Sequence, residues 1–178
     1  RYKNDSILIS YKTLNKDNPK LNCRLKNLKK FSPKRIILDN KLETNTKSYI
    51  FKTANKNNTI IFYNEAKKSQ ILKFKKKKIQ ITKSKTNSWK RFDIPIILKK
   101  LYSLGCRSIL VEGGNELTKD FLEKKIFNRF YLFKSPKTLS KFNEYKEFNG
   151  FNILKKNYKS MTKIKSNFGN DTITLYKN

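Results

Sequence analysis

The stretch SILVEGGNEL, residues 108–117, is the most informative segment of this chain. Its first four residues have the character of a buried strand and lead to a single carboxylate, Glu112. Two glycines, Gly113 and Gly114, follow, and the pattern then predicts the start of a helix. In open α/β sheets, ligands bind at the carboxyl ends of strands, where the next helix begins with free N–H groups. An acid and a turn that can receive a phosphate meet here, which predicts a small-molecule site.

Strands and helices alternate on both sides of that stretch. The predicted strands are 6–9, 35–38, 59–63, a weaker 78–82, 108–111, 130–133 and 172–176. The predicted helices are one turn at 13–18, a longer segment between a cap at Asp93 and Gly105, and 115–124. This alternation predicts an α/β fold, a single domain with a mostly parallel central sheet and helices on both faces. Residues 73–91 are expected to be a solvated strand and loop, and no clear pattern connects 136 to 172.

The net charge of the chain is +30, because 43 lysines and arginines stand against 13 acids among 178 residues. Such a charge can indicate a nucleic-acid partner, since clustered cations release the counterions condensed on a polyanion. Only six of these cations are arginines, however, and nucleic-acid readers favour arginine for its two-pronged contacts. The lysines are spread evenly beside abundant asparagine, which is typical of AT-rich coding sequence. We therefore attribute the charge to codon usage.

One lysine-rich region keeps a second class of function open. Residues 73–78 and 83–91 surround the aromatic side chains Phe74, Trp89 and Phe92, a composition that can bind single-stranded nucleic acid. A solvated strand edge explains the same residues, because lysines discourage pairing between edges. We favour the strand edge and expect no nucleic-acid partner. A basic, non-catalytic nucleic-acid-binding domain remains the alternative.

The cysteine and histidine content excludes several kinds of site. Cys23 and Cys106 are too few for a disulfide framework, and without any histidine they cannot form an ordinary zinc site. The absence of histidine also excludes a catalytic triad and a histidine base. No apolar run reaches membrane-spanning length, and the first residues do not resemble a signal peptide. We expect a cytoplasmic protein with two reduced thiols, no bound metal and no membrane contact.

A second group of residues has the pattern D-x-P-x-L-x-x-R. It consists of Asp17, Pro19, Leu21 and Arg24, on a loop after the first strand and one helical turn. The aspartate could hold a sugar hydroxyl, and the guanidinium could bind a phosphate through two parallel hydrogen bonds. A plain surface loop is the alternative interpretation, just as Glu112 could be an ion-pairing acid at a strand end.

Together these motifs resemble the reductase domain of the bifunctional riboflavin biosynthesis deaminase–reductase. The resemblance covers nearly the whole chain. DSILI at 5–9 is similar to the family's DAILVG strand, and TLNKDNPKLNCR at 13–24 resembles TVLxDDPxLTxR. RIILDN at 35–40 is similar to RVVLDS, and ILVEGG at 109–114 matches LLVEGG. Residues 121–136 follow the family's helix and the strand after it.

The resemblance implies a dihydrofolate-reductase-like fold and a specific reaction. The family uses NADPH to reduce the ribosyl group of 5-amino-6-(5-phosphoribosylamino)uracil to a ribityl chain. It implies cofactor contacts at Thr13, Asp17, Asn40, Gly114, Asn115, Glu116, Leu117 and Thr118. It implies substrate contacts at Leu21, Arg24 and Glu112. Asp17 is also the candidate for a catalytic, proton-handling role, and Asn40 stands where the family usually has serine.

The resemblance also carries expectations about the complete polypeptide. The family suggests a homodimer and a fused zinc deaminase domain, whose metal-binding motifs do not occur in this chain. We expect residues 1–178 to be the C-terminal part of a reductase domain that lacks its opening strand and helix.

Overall fold

Residue Leu8 sits opposite both Ile36 and Val111, in the parallel sheet that organises residues 1–114. The computed structural model describes residues 1–137, 148, 150–165 and 169–178, which form two compact units, 1–114 and 115–178. The five strands of the first unit are β1 (Ser6–Ser10), β2 (Lys34–Leu38), β3 (Thr59–Tyr63), β4 (Gln80–Lys83) and β5 (Ile109–Val111). Their order across the sheet is β4-β3-β2-β1-β5, and every neighbouring pair is parallel.

The three inner strands are apolar on both faces. Ile7, Leu8, Ile36 and Ile60 are all completely shielded from solvent. A parallel sheet is covered on both sides, so its strands are continuous apolar runs rather than alternating ones. This explains why β1, β2 and β3 could be located from the sequence.

Four helices belong to the first unit, with a short 3₁₀ turn at Lys29–Phe31. They are α1 (Tyr11–Asp17), α2 (Tyr49–Thr53), α3 (Lys68–Lys76) and α4 (Ile94–Ser103). α4 begins as predicted, with the Asp93 carboxylate accepting from the Ile96 N–H at 3.5 Å. It ends at a left-handed Gly105 with φ +84°, and the Cys106 N–H bonds back to the Leu101 carbonyl at 3.0 Å.

The second unit combines two helices with a separate antiparallel sheet. Its elements are α5 (Asn115–Glu123), β6 (Arg129–Lys134), α6 (Gly150–Asn157), β7 (Met161–Ile164) and β8 (Thr172–Lys177). The sheet has the order β6-β8-β7. Its core contains Leu122, Leu154 and Tyr158, and the Tyr158 hydroxyl donates to the Leu122 carbonyl at 2.7 Å.

The predicted α/β fold with a mostly parallel central sheet is confirmed. Several local predictions are wrong. Residues 73–76 belong to helix α3 rather than to a strand and loop, because the buried Phe74 anchors a turn whose lysines point outward. The strand expected at 78–82 begins only at Gln80, since Lys78 adopts a left-handed φ of +55° after the helix.

Other elements were not predicted or were drawn too short. The turn expected at 13–18 is a two-turn helix that begins at Tyr11. Helix α2 was missed, and so were α6 and β7 in the region without a clear pattern. The antiparallel pairing of β6 with β8 was not foreseen either. Within the described residues, no helix is both long and apolar enough to cross a bilayer.

Candidate functional site

The two sequence motifs meet at the carboxyl edge of the parallel sheet. Because β5, β1 and β2 are neighbours and parallel, the residues that follow them lie along one edge. The Glu112 N–H donates to the Leu8 carbonyl at 3.1 Å, which carries the β5–β1 pairing to the base of the glycine turn. This edge is where ligands of open α/β sheets bind.

Glu112 is held by a two-pronged ion pair with Arg1. The Arg1 Nε donates to Oε1 at 3.0 Å, and Nη2 donates to Oε2 at 2.9 Å. The remaining nitrogen, Nη1, donates to the main-chain carbonyl of Asn22 at 3.4 Å. Since Asn22 lies between Leu21 and Arg24, one guanidinium joins the predicted acid to the predicted loop.

This contact bears on both interpretations of Glu112. The acid is ion-paired, as the structural alternative requires, yet the pairing is also what brings it to the Asp17–Arg24 loop. The two side chains keep 23% and 37% of their surface exposed, so a ligand can still reach them. Sequence reasoning missed Arg1. The available signal was its residue type, because arginine is rare in this lysine-rich chain.

The loop that contains Arg24 turns sharply. Asn18 and Leu21 both have positive φ values, 43° and 51°. The left-handed conformation is costly for leucine, and the burial of this side chain, 2% exposed, offsets that cost. Arg24 is exposed at the end of the loop. Among the described residues, the buried Oδ1 of Asn22 has no hydrogen-bond partner, so a ligand with a donor group could satisfy it.

The glycine turn approaches the start of helix α1. A Cβ added to Gly114 would lie 3.4 Å from the Oγ1 of Thr13. That hydroxyl is fixed by Ser10, whose Oγ lies 3.0 Å away and also accepts from the Thr13 N–H at 3.2 Å. Asp17 lies four residues after Thr13, on the same face of the helix. The structure therefore brings Thr13 and Gly114 together and leaves Asp17 exposed one turn further along.

A buried aspartate orders the loop after β2. The Oδ1 of Asp39 accepts from the Glu43 N–H at 2.8 Å, and its Oδ2 accepts from the N–H and the hydroxyl of Thr44, both at 2.7 Å. Burial raises the pKa of Asp39, while these hydrogen bonds act in the opposite direction. The neighbouring Asn40 carbonyl accepts the N–H groups of Asn64 and Glu65, both at 3.0 Å. Within the described residues, the Asn40 Oδ1 is buried without a hydrogen-bond partner.

An open crevice lies between the loops that follow β2 and β3. Its volume is about 530 Å³. It is lined by Lys41, Glu43, Glu65, Ala66, Lys67 and Gln70. It begins one residue after Asn40, so the predicted contact and the crevice share one loop.

The other predicted cofactor residues form the first turn of α5, in the second unit. Asn115, Glu116, Leu117 and Thr118 follow Gly114 directly in the chain, and Leu117 is buried. In the first unit, Cys23 and Cys106 are buried free thiols. Among the described residues, no group of three or more cysteine and acidic side chains is arranged to hold a metal ion.

Comparison with known proteins gives consistent matches. Residues 1–172 match the family described as the RibD C-terminal domain. The riboflavin biosynthesis protein RibD of Actinobacillus pleuropneumoniae is 31% identical over 137 residues, which covers 77% of this chain and 36% of the relative. The protein of the same name from Aquifex aeolicus is 29% identical over 172 residues, covering 97% of this chain and 46% of the relative. The chain thus spans less than half the length of these curated relatives.

Solved structures support the fold. A pyrimidine reductase-like protein from Corynebacterium diphtheriae matches with a TM-score of 0.72 at 16% identity, over 99% of this chain and 77% of that one. RibD of Acinetobacter baumannii matches with a TM-score of 0.67 at 16% identity, over 98% of this chain and 47% of that one.

Proposed function

Because this chain belongs to the RibD C-terminal domain family, we propose that it reduces the ribosyl group of 5-amino-6-(5-phosphoribosylamino)uracil to the ribityl form, with NADPH as the reductant. The reaction is a step of riboflavin biosynthesis. The observation that carries the proposal is the Arg1 guanidinium, which joins Glu112 to the loop between Leu21 and Arg24. The arrangement offers an acid and a cation side by side at the carboxyl edge of the sheet.

The substrate side of the site uses residues of opposite charge. The exposed Arg24 guanidinium is suited to the phosphate of the substrate, because it can form two parallel charge-assisted hydrogen bonds. The Glu112 carboxylate, oriented by Arg1, can accept hydrogen bonds from the N–H groups of the pyrimidine ring. Leu21 is buried in the core and thereby fixes the position of the loop relative to the sheet. These groups bind both ends of the substrate.

The cofactor contacts are assigned from the chemistry of individual residues. Thr13 presents its hydroxyl at the Gly114 turn, and the buried Asn40 Oδ1 can accept a ribose hydroxyl. We assign the first turn of α5, from Asn115 to Thr118, to the pyrophosphate, since main-chain N–H groups at a helix start bind anions. When bound, NADPH supplies a hydride to the sugar carbon attached to nitrogen in the ring-opened imine form of the substrate.

Asp17 is the residue to which we assign the proton. Reduction of an imine needs a proton at nitrogen for every hydride added to carbon. Asp17 shares a helix face with Thr13, so a carboxyl group lies one turn from the predicted cofactor contact. Its role is to hold or deliver that proton.

The preference for NADPH over NADH is assigned to the crevice. Lys41 and Lys67 line it, and a cation beside the adenosine ribose is what distinguishes a 2′-phosphate from a hydroxyl. Glu43 and Glu65 line the same crevice and balance the formal charge of the two lysines, so the lysines act through direct contact with the phosphate. Replacement of both lysines by glutamate should therefore reduce the preference for NADPH.

The test is NADPH oxidation with the phosphoribosylaminopyrimidine as substrate. Arg24→Ala should raise KM for the substrate roughly 10- to 100-fold, because a charge-assisted phosphate contact is lost. Arg107→Ala is the matched control, since Arg107 is an exposed arginine before β5, at the opposite edge of the sheet. Failure of the unsubstituted protein to bind NADPH, or equal effects of the two alanine variants, would contradict the proposal.

We also propose a cytoplasmic homodimer whose complete polypeptide carries a deaminase domain. The chain covers 36% to 46% of its curated relatives, which is consistent with a fusion.

Strand β6 exposes Tyr131 and Phe133, by 45% and 64%, on one face of its sheet, and these apolar side chains suit a second copy. Light scattering of Phe133→Lys should then show a smaller mass. No comparison supports the nucleic-acid-binding alternative.

A further inference from the structure

Helix α1 has three faces with separate tasks. Leu14 is completely buried in the core. Thr13 and Asp17 form the face assigned to the cofactor. Asn15 lies on a third face and contacts the loop that follows β2. We propose that Asn15 is a positioning residue for the cofactor, an inference that rests on the proposed function.

Both ends of the Asn15 carboxamide are used. Its Nδ2 donates to the Glu43 carbonyl at 2.9 Å, and its Oδ1 accepts from the Asn45 N–H at 2.8 Å. One of these main-chain groups is an acceptor and the other, two residues later, is a donor. A single side chain can bind both only if it donates and accepts at once. Only the amides of asparagine and glutamine provide both functions on one planar group. An aspartate could satisfy only the accepting contact, and a lysine only the donating one.

Two further contacts lie beside Asn15 on the same face. Asn18, the residue that caps the end of the helix, accepts the Tyr49 N–H at 2.8 Å, at the start of α2. Tyr11 precedes Asn15 by four residues, and its hydroxyl lies close enough to the Glu43 carboxylate to be influenced by it. Burial, together with this contact, raises the pKa of Tyr11 to about 12, so the phenol stays protonated as a donor. Asn15 thus attaches the helix to the loop, and Asn18 attaches the end of the helix to the start of α2.

The loop is itself a fixed support. Asp39 orders its first part through the N–H groups of Glu43 and Thr44. Asn15 bonds to the carbonyl of the same Glu43, so the helix is attached to residues that the buried carboxylate already holds. Because Asn40 belongs to this loop, the contact also sets the spacing between Asn40 and Thr13.

Asn15 is exposed, so it contributes by fixing the position of α1 relative to the loop and not by packing in the core. A binding group that is displaced by a fraction of an ångström loses most of its contribution, even when the protein remains folded. We therefore expect Asn15 variants to weaken cofactor binding while Tm and substrate affinity change little.

The experiment measures NADPH binding by fluorescence titration and steady-state kinetics for both ligands. Asn15→Asp keeps the acceptor and loses the donor, and Asn15→Ala loses both. We expect Kd for NADPH to rise about threefold in the first and roughly 10-fold in the second, as for one and two hydrogen bonds. KM for the pyrimidine and Tm should stay near the unsubstituted values. Asn55→Ala is the control, because the Asn55 Oδ1 accepts from two main-chain N–H groups in an exposed turn before β3.

A double-substitution cycle with Thr13 shows whether Asn15 acts through it. In a Thr13→Ala background, Asn15→Ala should cost much less NADPH affinity than alone, because the group it positions is already missing. Equal losses in both backgrounds, or a loss shared with Asn55→Ala, would overturn the inference. Unchanged NADPH affinity in the Asn15 variants would overturn it while leaving the proposed function intact. A protein that binds no NADPH at all would overturn both.

Discussion

The Arg1 guanidinium and the Glu112 carboxylate form a two-pronged ion pair between residues 111 positions apart in the sequence. The same guanidinium reaches the Asn22 carbonyl, so a single side chain connects the strand end to the loop. Guanidinium is suited to this task because its donors are arranged in a rigid fork. Three separate parts of the chain are thereby held at one site.

Replacement of Arg1 should affect binding more than stability. In Arg1→Met the Glu112 carboxylate loses both hydrogen bonds, and its orientation toward the substrate is no longer fixed. We expect KM for the pyrimidine to rise roughly 10-fold, and the free energy of unfolding to fall by less than about 1 kcal/mol because the pair is partly exposed. Arg1→Lys keeps the positive charge but loses the rigid fork of donors, so its KM should lie between those of the unsubstituted protein and Arg1→Met. A large loss of stability with unchanged KM would show that the pair is only structural.

Acid should weaken the attachment of β1 to β5 through Asp5. The Oδ2 of Asp5 accepts the N–H groups of Arg107 and Ser108 at 2.7 and 2.8 Å, and these hydrogen bonds lower the pKa of Asp5 below 3.8. A lowered carboxyl pKa stabilises the folded state above the unfolded value of 3.8, and this contribution is lost as pH falls through the folded value. Tm of Asp5→Asn should therefore depend less on pH below about 4 than Tm of the unsubstituted protein. Parallel curves would contradict this.

Arg35 is a buried cation held by neutral oxygens. It donates to the Thr53 hydroxyl at 2.8 Å and carbonyl at 3.1 Å, and to the Asn58 Oδ1 at 2.7 Å. Burial lowers the pKa of Arg35. Arg35→Ala leaves these acceptors without their donor, and we expect the free energy of unfolding to fall by about 3 kcal/mol. Denaturant titration measures this loss, and KM values should be unaffected because Arg35 lies at the opposite edge of the sheet from Asn40.

Replacement by alanine should affect stability at Gly105 and cofactor binding at Gly114. Gly105 has a φ of +84° and open space around it, so Gly105→Ala should lose about 1 kcal/mol of stability through backbone strain, with normal activity. Gly114 has no positive φ, and its new methyl group would lie 3.4 Å from the Thr13 Oγ1. Gly114→Ala should fold normally and raise KM for NADPH. Thermal melting and NADPH titration of both variants separate the two effects.

Strong local patterns made much of the first unit predictable. The strands β1, β2 and β3 are uninterrupted apolar runs, and α4 has an acid cap, an early proline and a final glycine. Helix α3 was missed because lysine surrounds its two inward-facing residues, Phe74 and the partly buried Ile71. β7 was missed because its four residues are all exposed and carry no alternation.

The candidate site was predictable in part for a different reason. Parallel strands place their carboxyl ends on one edge, so a parallel sheet puts Glu112 and the Asp17–Arg24 loop on the same edge, and the β1–β5 pairing that makes them neighbours came only from the structure. The connection through Arg1 did not, since an ion pair between distant residues leaves no periodic trace in a sequence. The order imposed by Asp39 and the contacts of Asn15 were invisible for the same reason.

Helix α3 and its flanking residues carry many lysines, although only a small apolar contact holds the helix to the core. Seven lysines occupy residues 67–78, while Phe74 packs edge-on against Phe51 with ring centroids 5.1 Å apart. Mutual repulsion among ammonium groups grows as ionic strength falls, so dilute buffer should fray this helix before the sheet beneath it. Lys67 and Gln70, at the start of the helix, also line the crevice. An anion bound there would therefore act as a counterion for the lysines and stabilise the folded helix.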